Sequence, residues 1–181
     1  MEHFDLYNID RLPTGKQIQR GQPIEDGSYY SVVHVLIFNG DKMLIQQRTN
    51  RANCVFPNLW DVSVGGHMQA GEKSRFSAQR ELHEELGIDC DFSDRRPAFT
   101  LNFHQGFDDF YLINMNLDIN DVKIQKEEVQ AVKFATLDEI CTMIDDNIFI
   151  PYRKELIKLC FAIKDSVDNS KIGASWIQDD K

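Results

Sequence analysis

Residues 66–88 restrict the fold of this chain more than any other stretch. They read Gly66-His67-Met68-Gln69-Ala70-Gly71-Glu72 and, after seven residues, Arg80-Glu81-Leu82-His83-Glu84-Glu85-Leu86-Gly87-Ile88. The pattern turns helical at about Ser74 and holds until Gly87, a residue suited to the left-handed position just past a helix end. At about 100° per residue, Glu81, Glu84 and Glu85 share an arc of about 100° within one turn. Ala78, Leu82 and Leu86 form the adjacent stripe, which packs onto a sheet. The carboxylates therefore lie at the edge of the buried face. Like charges three and four apart weaken a helix by a few tenths of a kcal/mol each. Hard divalent cations such as Mg2+ take oxygen ligands, and a trio of this shape suits them. Arg80, one turn before Glu84, is placed to tether that carboxylate, and Gly66 permits close backbone approach.

The rest of the chain supplies the sheet. Residues 1–28 carry the turn signals Pro13-Thr14-Gly15, Gly21-Gln22-Pro23 and Asp26-Gly27-Ser28, and read as a short N-terminal arm or hairpin. The β-branched and aromatic run 29–38, the turn Asn39-Gly40-Asp41 and the run 42–48 predict two paired central strands. Residues 49–58 read as a loop, and 60–64 as a short strand stopping at Gly65-Gly66. Further strands are expected at 98–103, 110–115 and 129–134. Thr136 with Glu139 forms a capping box that opens a second helix, and Pro151 precedes a third over 152–163. Strands before, between and after helices predict an α+β domain over 29–165. The polar tail, 166–181, is expected to be mobile.

With 20 Lys plus Arg against 29 Asp plus Glu, the 181-residue chain carries a formal charge of −9. That balance argues against broad nucleic-acid binding. It also means that a polyanionic substrate requires imported positive charge. No run approaches the roughly 20 apolar residues that span a bilayer, and no secretory signal is visible. Cys54, Cys90, Cys141 and Cys160 lack C-x-x-C spacing, which fits reduced thiols in a cytoplasmic protein.

Glycine, five residues, glutamate, seven residues, then Arg-Glu-apolar-x-Glu-Glu-x-Gly-apolar arises by chance in a chain this long on the order of once in ten million. The pattern resembles the Nudix box at every defining position over 66–88, and a looser likeness extends over 29–163. The resemblance implies an α/β/α sandwich with a mixed sheet and the box as a loop-helix-loop. It also implies Mg2+- or Mn2+-dependent hydrolysis of a small-molecule diphosphate by in-line attack of metal-activated water. On that likeness Glu84 and Glu85 are metal ligands, Glu81 is a ligand or the base, and Gly66 offers its carbonyl. Glu72 and Arg80 brace the loop and helix. A distal carboxylate is expected before the last sheet strand, at Glu128 or, failing that, Glu127. Homodimers are frequent in the family, but no segment here requires one.

Substrate contacts are expected from Arg48, Arg51, His67 and Phe56, with Lys73, Arg75 and Phe107 as further candidates. His67 has two readings, contact with substrate or metal and a hydrogen bond within its loop. His34 reads as a paired interior group, and His83 as a surface residue. His104, Asp108 and Asp109 stand near a strand junction.

The stretch Leu59-Trp60-Asp61-Val62-Ser63-Val64-Gly65-Gly66-His67 is similar to the branch that contains isopentenyl diphosphate isomerase. In that isomerase a proton-moving cysteine stands where this chain has Gly65, and upstream histidines ligate metal where residues 22–30 here contain none. The isomerase also departs from the Arg-Glu-x-x-Glu-Glu core kept here. These differences favour hydrolysis over double-bond migration. A non-catalytic diphosphate-binding module is the third reading, and the complete set of glutamates argues against it.

Overall fold

Asn39-Gly40-Asp41 makes the expected turn, with Gly40 left-handed at φ 62°, in a computed structural model that describes residues 2–51 and 54–165. The tail 166–181 lies outside the described residues. The strands in chain order are β1 (His3–Tyr7), β2 (Pro13–Gln19), β3 (Tyr30–Asn39), β4 (Lys42–Arg48), β5 (Trp60–Asp61) and β6 (Val64–His67). Helix α1 (Ser74–Leu86) follows, then β7 (Phe99–Phe103), β8 (Gly106–Asn114), β9 (Val129–Thr136), α2 (Leu137–Asp145) and α3 (Lys154–Ile163).

β1 and β2 form a separate antiparallel ribbon. The other seven strands form a mixed sheet in the order β5-β4-β3-β8-β7, with β6 also on β3 and β9 on β4. β3 and β8 run parallel from Tyr30↔Gly106 to Phe38↔Asn114.

The central hairpin departs from expectation. β3 and β4 pair only at Phe38↔Met43 and Asn39↔Lys42. Beyond that point β3 takes β6 as its antiparallel partner and β4 takes β5 on the edge so freed, while β9 runs along the other edge of β4 throughout. The fork is held by Ser63, which is fully buried. Its hydroxyl accepts from the Ile37 N–H at 2.8 Å and donates to the Leu44 carbonyl at 2.6 Å. Those two groups belong to the next pair in register, so the hydroxyl replaces the ladder bonds the splay removes. Ser63→Ala is expected to leave both unpaired and to cost about 2–6 kcal/mol at about 1–3 kcal/mol per group. Urea unfolding measures it, and a loss under about 1 kcal/mol would show that the fork does not depend on the hydroxyl.

The 60–64 strand differs as well. It divides at Val62-Ser63, and its second half continues through both glycines to His67. β8 begins earlier than expected, at Gly106, and α3 later, at Lys154.

β3 is buried on both faces, so it reads as a continuous apolar run rather than an alternating one. Val33, Val35 and Ile37 pack with Ala78, Leu82 and Leu86 of α1. Leu36 and Phe38 face Ile140 and Met143 of α2 and Ile157 and Cys160 of α3. The result is the α/β/α sandwich. α1 ends at Gly87, left-handed at φ 65°. The chain segment before β9 docks on that end, with the N–H groups of Lys123 and Gln125 donating to the Leu86 and Glu85 carbonyls. The capping box at Thr136 and Glu139 opens α2 as expected.

Candidate active site

Both halves of the split sheet contribute to a cavity of about 650 Å³. α1 delivers Glu81, Glu84 and Glu85 to it, β6 delivers Gly65, Gly66 and His67, and the 123–128 segment delivers Glu128. Arg48, Arg51 and Phe56, from which substrate contacts are expected, line it too. Glu127 does not. Lys73 and Arg75 are absent from the lining, and the Arg75 guanidinium lies 5.0 Å from the centre of the Phe76 ring instead. Phe107 is buried beneath Arg11 and beside Tyr29, so it offers no open face for stacking.

The three box glutamates differ in environment. Glu81 and Glu85 are buried, whereas the Glu84 side chain is 49% exposed at the rim. Arg80 joins Glu81 and Glu84 to the loop through Nε, Nη1 and Nη2. Nε donates to Glu72 Oε1 at 2.8 Å and Nη2 to Glu72 Oε2 at 3.0 Å. Nη2 also donates to the His67 carbonyl at 3.1 Å. Nη1 reaches Glu84 Oε2 at 2.9 Å and Glu81 Oε1 at 3.0 Å. Burial pushes the Glu72 carboxyl up, but Arg80, the Ser77 hydroxyl and the Gln69 N–H more than offset it, so it sits below the usual range. The tether expected for Glu84 is thus also the brace of the whole loop.

Among the described residues no group of three or more His, Cys, Asp or Glu side chains is gathered as a ready metal cage. The reason is visible: Arg80 holds Glu81 and Glu84, and the Gln46 Nε2 donates to Glu85 at 2.8 Å. The donor set nevertheless fits a hard divalent ion. Burial, then repulsion from Glu84, pushes Glu81 up to about 7 against the pull of Arg80. Burial, then the Glu81 charge, pushes Glu85 well above the usual range. Two buried carboxylates side by side lack the positive charge that would keep them ionised. Gln46 Oε1, buried beside them, has no hydrogen-bond partner among the described residues.

The glycines explain how the glutamates enter the cavity. A Cβ on Gly66 would stand 2.1 Å from Glu81 Cδ and 2.2 Å from its Oε1, so the carboxyl rests directly on the glycine. Gly66→Ala is therefore expected to displace Glu81 and lower kcat/KM by about 100-fold, the scale of a 1 Å misplacement in an active site. Unchanged kcat/KM in the folded variant would show that Glu81 can swing aside freely. A Cβ on Gly65 would stand 2.9 Å from the His34 ring, so a cysteine at this position would require that ring to move.

The remaining floor of the cavity was not legible from sequence. Tyr152 OH donates to Asp61 Oδ1 at 3.0 Å and lies 3.1 Å from His34 Nε2. Its single proton is used, so His34 donates to it, while His34 Nδ1 faces Asp108 at 2.6 Å. Burial pushes the His34 imidazole down, but the Asp108 bond and charge and the Asp61 charge prevail, so its pKa is raised above the usual value. Arg48 Nη1 meets Asp61 at 3.2 Å, and Arg51 Nη1 meets Glu128 at 2.8 Å. His67 is the reverse case. Its ring stacks on Phe4 at 4.7 Å and Tyr30 at 5.7 Å. Burial, then the Arg20 charge, lowers it to about 4, so it stays neutral. Stacking fixes the ring, with no hydrogen bond to it among the described residues. His83 is exposed beside Asp89, as expected. Asp109 pairs with Arg11 away from the cavity.

The NUDIX domain family model matches residues 29–158. An uncharacterised Nudix hydrolase of Listeria monocytogenes is 40% identical over 152 residues, covering 84% of this chain and 90% of that protein. An isopentenyl-diphosphate Delta-isomerase of Pectobacterium atrosepticum is 26% identical over 75% of this chain and 76% of its own length. A crystal structure of a Deinococcus radiodurans protein shares the fold with a TM-score of 0.72 and 24% identity, over 88% of this chain and 99% of that one.

Proposed function

Because this chain belongs to the Nudix hydrolase family, whose members hydrolyse diphosphate bonds with divalent metal ions, we propose that it cleaves a nucleoside diphosphate or related organic diphosphate using Mg2+ or Mn2+. The observation that carries this reading is one cavity lined by both an acidic row and a set of cations. Glu81, Glu84 and Glu85, with the Gly66 carbonyl and Glu128, would hold the metal. When bound, the ion lowers the pKa of water and offsets charge on phosphate oxygens.

The chain's own residues do the rest. Arg48 and Arg51 face the cavity and are suited to grip non-bridging phosphate oxygens. Glu128 and Arg51 are paired, so engaging Glu128 elsewhere frees Arg51 for the substrate. Phe56, half-buried in the lining, shields that side from solvent. Arg80 keeps Glu81 and Glu72 in place while the rim carboxylate Glu84 adjusts. Glu81 is either a ligand or the acceptor of the attacking water's proton. The four cysteines are unpaired, which suits a reducing cytoplasm. Among the described residues no helix is long and apolar enough to cross a membrane.

A panel of nucleoside and other organic diphosphates with Mg2+ or Mn2+, scored by product identification, tests the reading. No metal-dependent release of phosphate or monophosphate from any compound would overturn it. The Pectobacterium relative supports isomerisation of isopentenyl diphosphate as a second reading, but Gly65 offers no proton to move. Deuterium uptake into that substrate from heavy water would restore it.

A further inference from the structure

β7 is the outer strand of the mixed sheet and, among the described residues, pairs with β8 alone. Which of its peptide groups face outward follows from the next ladder inward. The Tyr30 N–H donates to the Gln105 carbonyl, and the Met115 N–H donates to the Phe38 carbonyl. In this parallel pair the odd-numbered peptide groups of β8 therefore turn toward β3 and the even-numbered ones toward β7. Gly106, Asp108 and Phe110 exchange bonds with Phe103, Leu101 and Phe99, their partners in register. The N–H and C=O groups of Thr100 and Asn102 are left pointing away from the sheet. Both residues are exposed, and among the described residues neither peptide group has a backbone partner.

This edge lacks the charges and prolines that keep such strands apart. Leu101 is 40% exposed and Phe103 36%, on the same face as Phe99. The turn of the β1–β2 ribbon lies beside the strand, tied to it by the bond from Arg11 Nη1 to Thr100 Oγ1 at 3.3 Å, and exposes Ile9 and Leu12. Two copies of a chain with formal charge −9 repel one another, but residues 97–107 contain no Asp, Glu, Lys or Arg. The strand is also symmetric in character about its centre: Phe99-Thr100-Leu101-Asn102-Phe103 alternates apolar and polar alike from either end. An antiparallel copy centred on Leu101 sets Leu101 against Leu101, Phe99 against the partner's Phe103 and Thr100 against the partner's Asn102. Thr100 and Asn102 carry the outward peptide groups, so each of these symmetric pairs exchanges both N–H···O bonds. The apolar side chains meet in the closer, non-hydrogen-bonded pairs. A strand from an unrelated protein could use the open edge but would not match this symmetry.

We propose that β7 pairs with β7 of a second copy about a two-fold axis at Leu101, joining the two mixed sheets into one across a homodimer. Sedimentation velocity of the full chain at about 1–300 μM spans weak to moderate association. The wild type is expected to approach twice the 21.0 kDa chain mass as concentration rises. Asn102→Pro removes an N–H that the fold itself does not use, a change an edge strand tolerates. It is expected to sediment as a monomer with wild-type circular dichroism. Leu101→Lys, at an exposed position, sets like charges face to face and is expected to weaken association at least about 10-fold. Leu101→Cys gives an independent readout. The Cα atoms of such a central pair stand about 4.5 Å apart, within disulfide range. Mild oxidation is therefore expected to cross-link that variant into dimers on non-reducing gels, with the wild type, which keeps its own four cysteines, as the control. A wild type that is monomeric at every concentration overturns the proposal and leaves the edge to a strand of another protein. A dimer that survives both Asn102→Pro and Leu101→Lys overturns it by placing the contact on another face.

Discussion

Glu85→Gln is expected to lower kcat/KM by roughly 10³-fold, inside the range for removing a group that acts on a proton or charge in the reaction, while making the metal-free protein more stable. Both effects come from the same burial. Glu85 is 5% exposed, next to Glu81, with Gln46 as its hydrogen-bond donor. Glutamine keeps that bond and removes an uncompensated buried charge. In wild type, Glu81 and Glu85 bind protons more tightly folded than unfolded. The metal-free fold therefore has their full contribution below the unfolded value of 4.5 and loses it as pH rises through about 7 for Glu81, and beyond for Glu85. For Glu81 alone the loss is on the order of 3 kcal/mol. Melting curves in EDTA should fall between pH 5 and pH 8, and Mg2+ or Mn2+ should restore more at pH 8 than at pH 5. The variant should show a shallower fall. A pH-independent melting temperature in EDTA, or a fully active Glu85→Gln, would remove the buried carboxylates from the chemistry.

Arg80→Ala is expected to cause the largest loss of stability, about 3–5 kcal/mol, as for breaking a largely buried ion pair from one side. In a chain this size that is a drop of about 10 °C or more in melting temperature. The guanidinium is 20% exposed and meets Glu72, Glu81, Glu84 and the His67 carbonyl. Its removal leaves Glu72 and Glu81 facing one another's loop without a counter-charge. Arg80→Lys keeps the charge but loses the fork that holds Glu72 by two bonds, so it should recover only part of the loss. Glu84→Gln is the control. It removes one rim pair, 49% exposed, and should cost under about 1 kcal/mol. Differential scanning calorimetry of the three variants separates these cases. Arg80→Ala melting within about 2 °C of wild type would mean these contacts are individually and jointly weak.

Much of α1 was legible because its signals are local. The stripe Ala78, Leu82 and Leu86 is fully buried, Gly87 is left-handed, and the three glutamates line one cavity. The turn at Gly40 and the capping box at Thr136 follow from the same kind of short-range chemistry. Glu128 rather than Glu127 lines the cavity, on a 123–128 segment that docks on the end of α1.

Other features depend on partners far apart in the chain. The apolar run of β3 is the same whether it pairs with β4, β6 or β8, so its sequence does not reveal that the hairpin splits. Ser63 looks like an ordinary strand residue until Ile37 and Leu44 approach it. His34, Asp61, Asp108 and Tyr152 are separated by up to 118 positions and become one hydrogen-bonded floor only when β3, β5, β8 and the segment before α3 converge. The linear chain therefore determined which helix bears the acidic row and which face of it is buried, because those properties repeat every few residues. Tertiary packing alone decided that Arg80 would also reach the His67 carbonyl, that a ribbon from the N-terminus would wall the cleft, and which cations would face the glutamates, because each needs surfaces that meet only after the chain has folded.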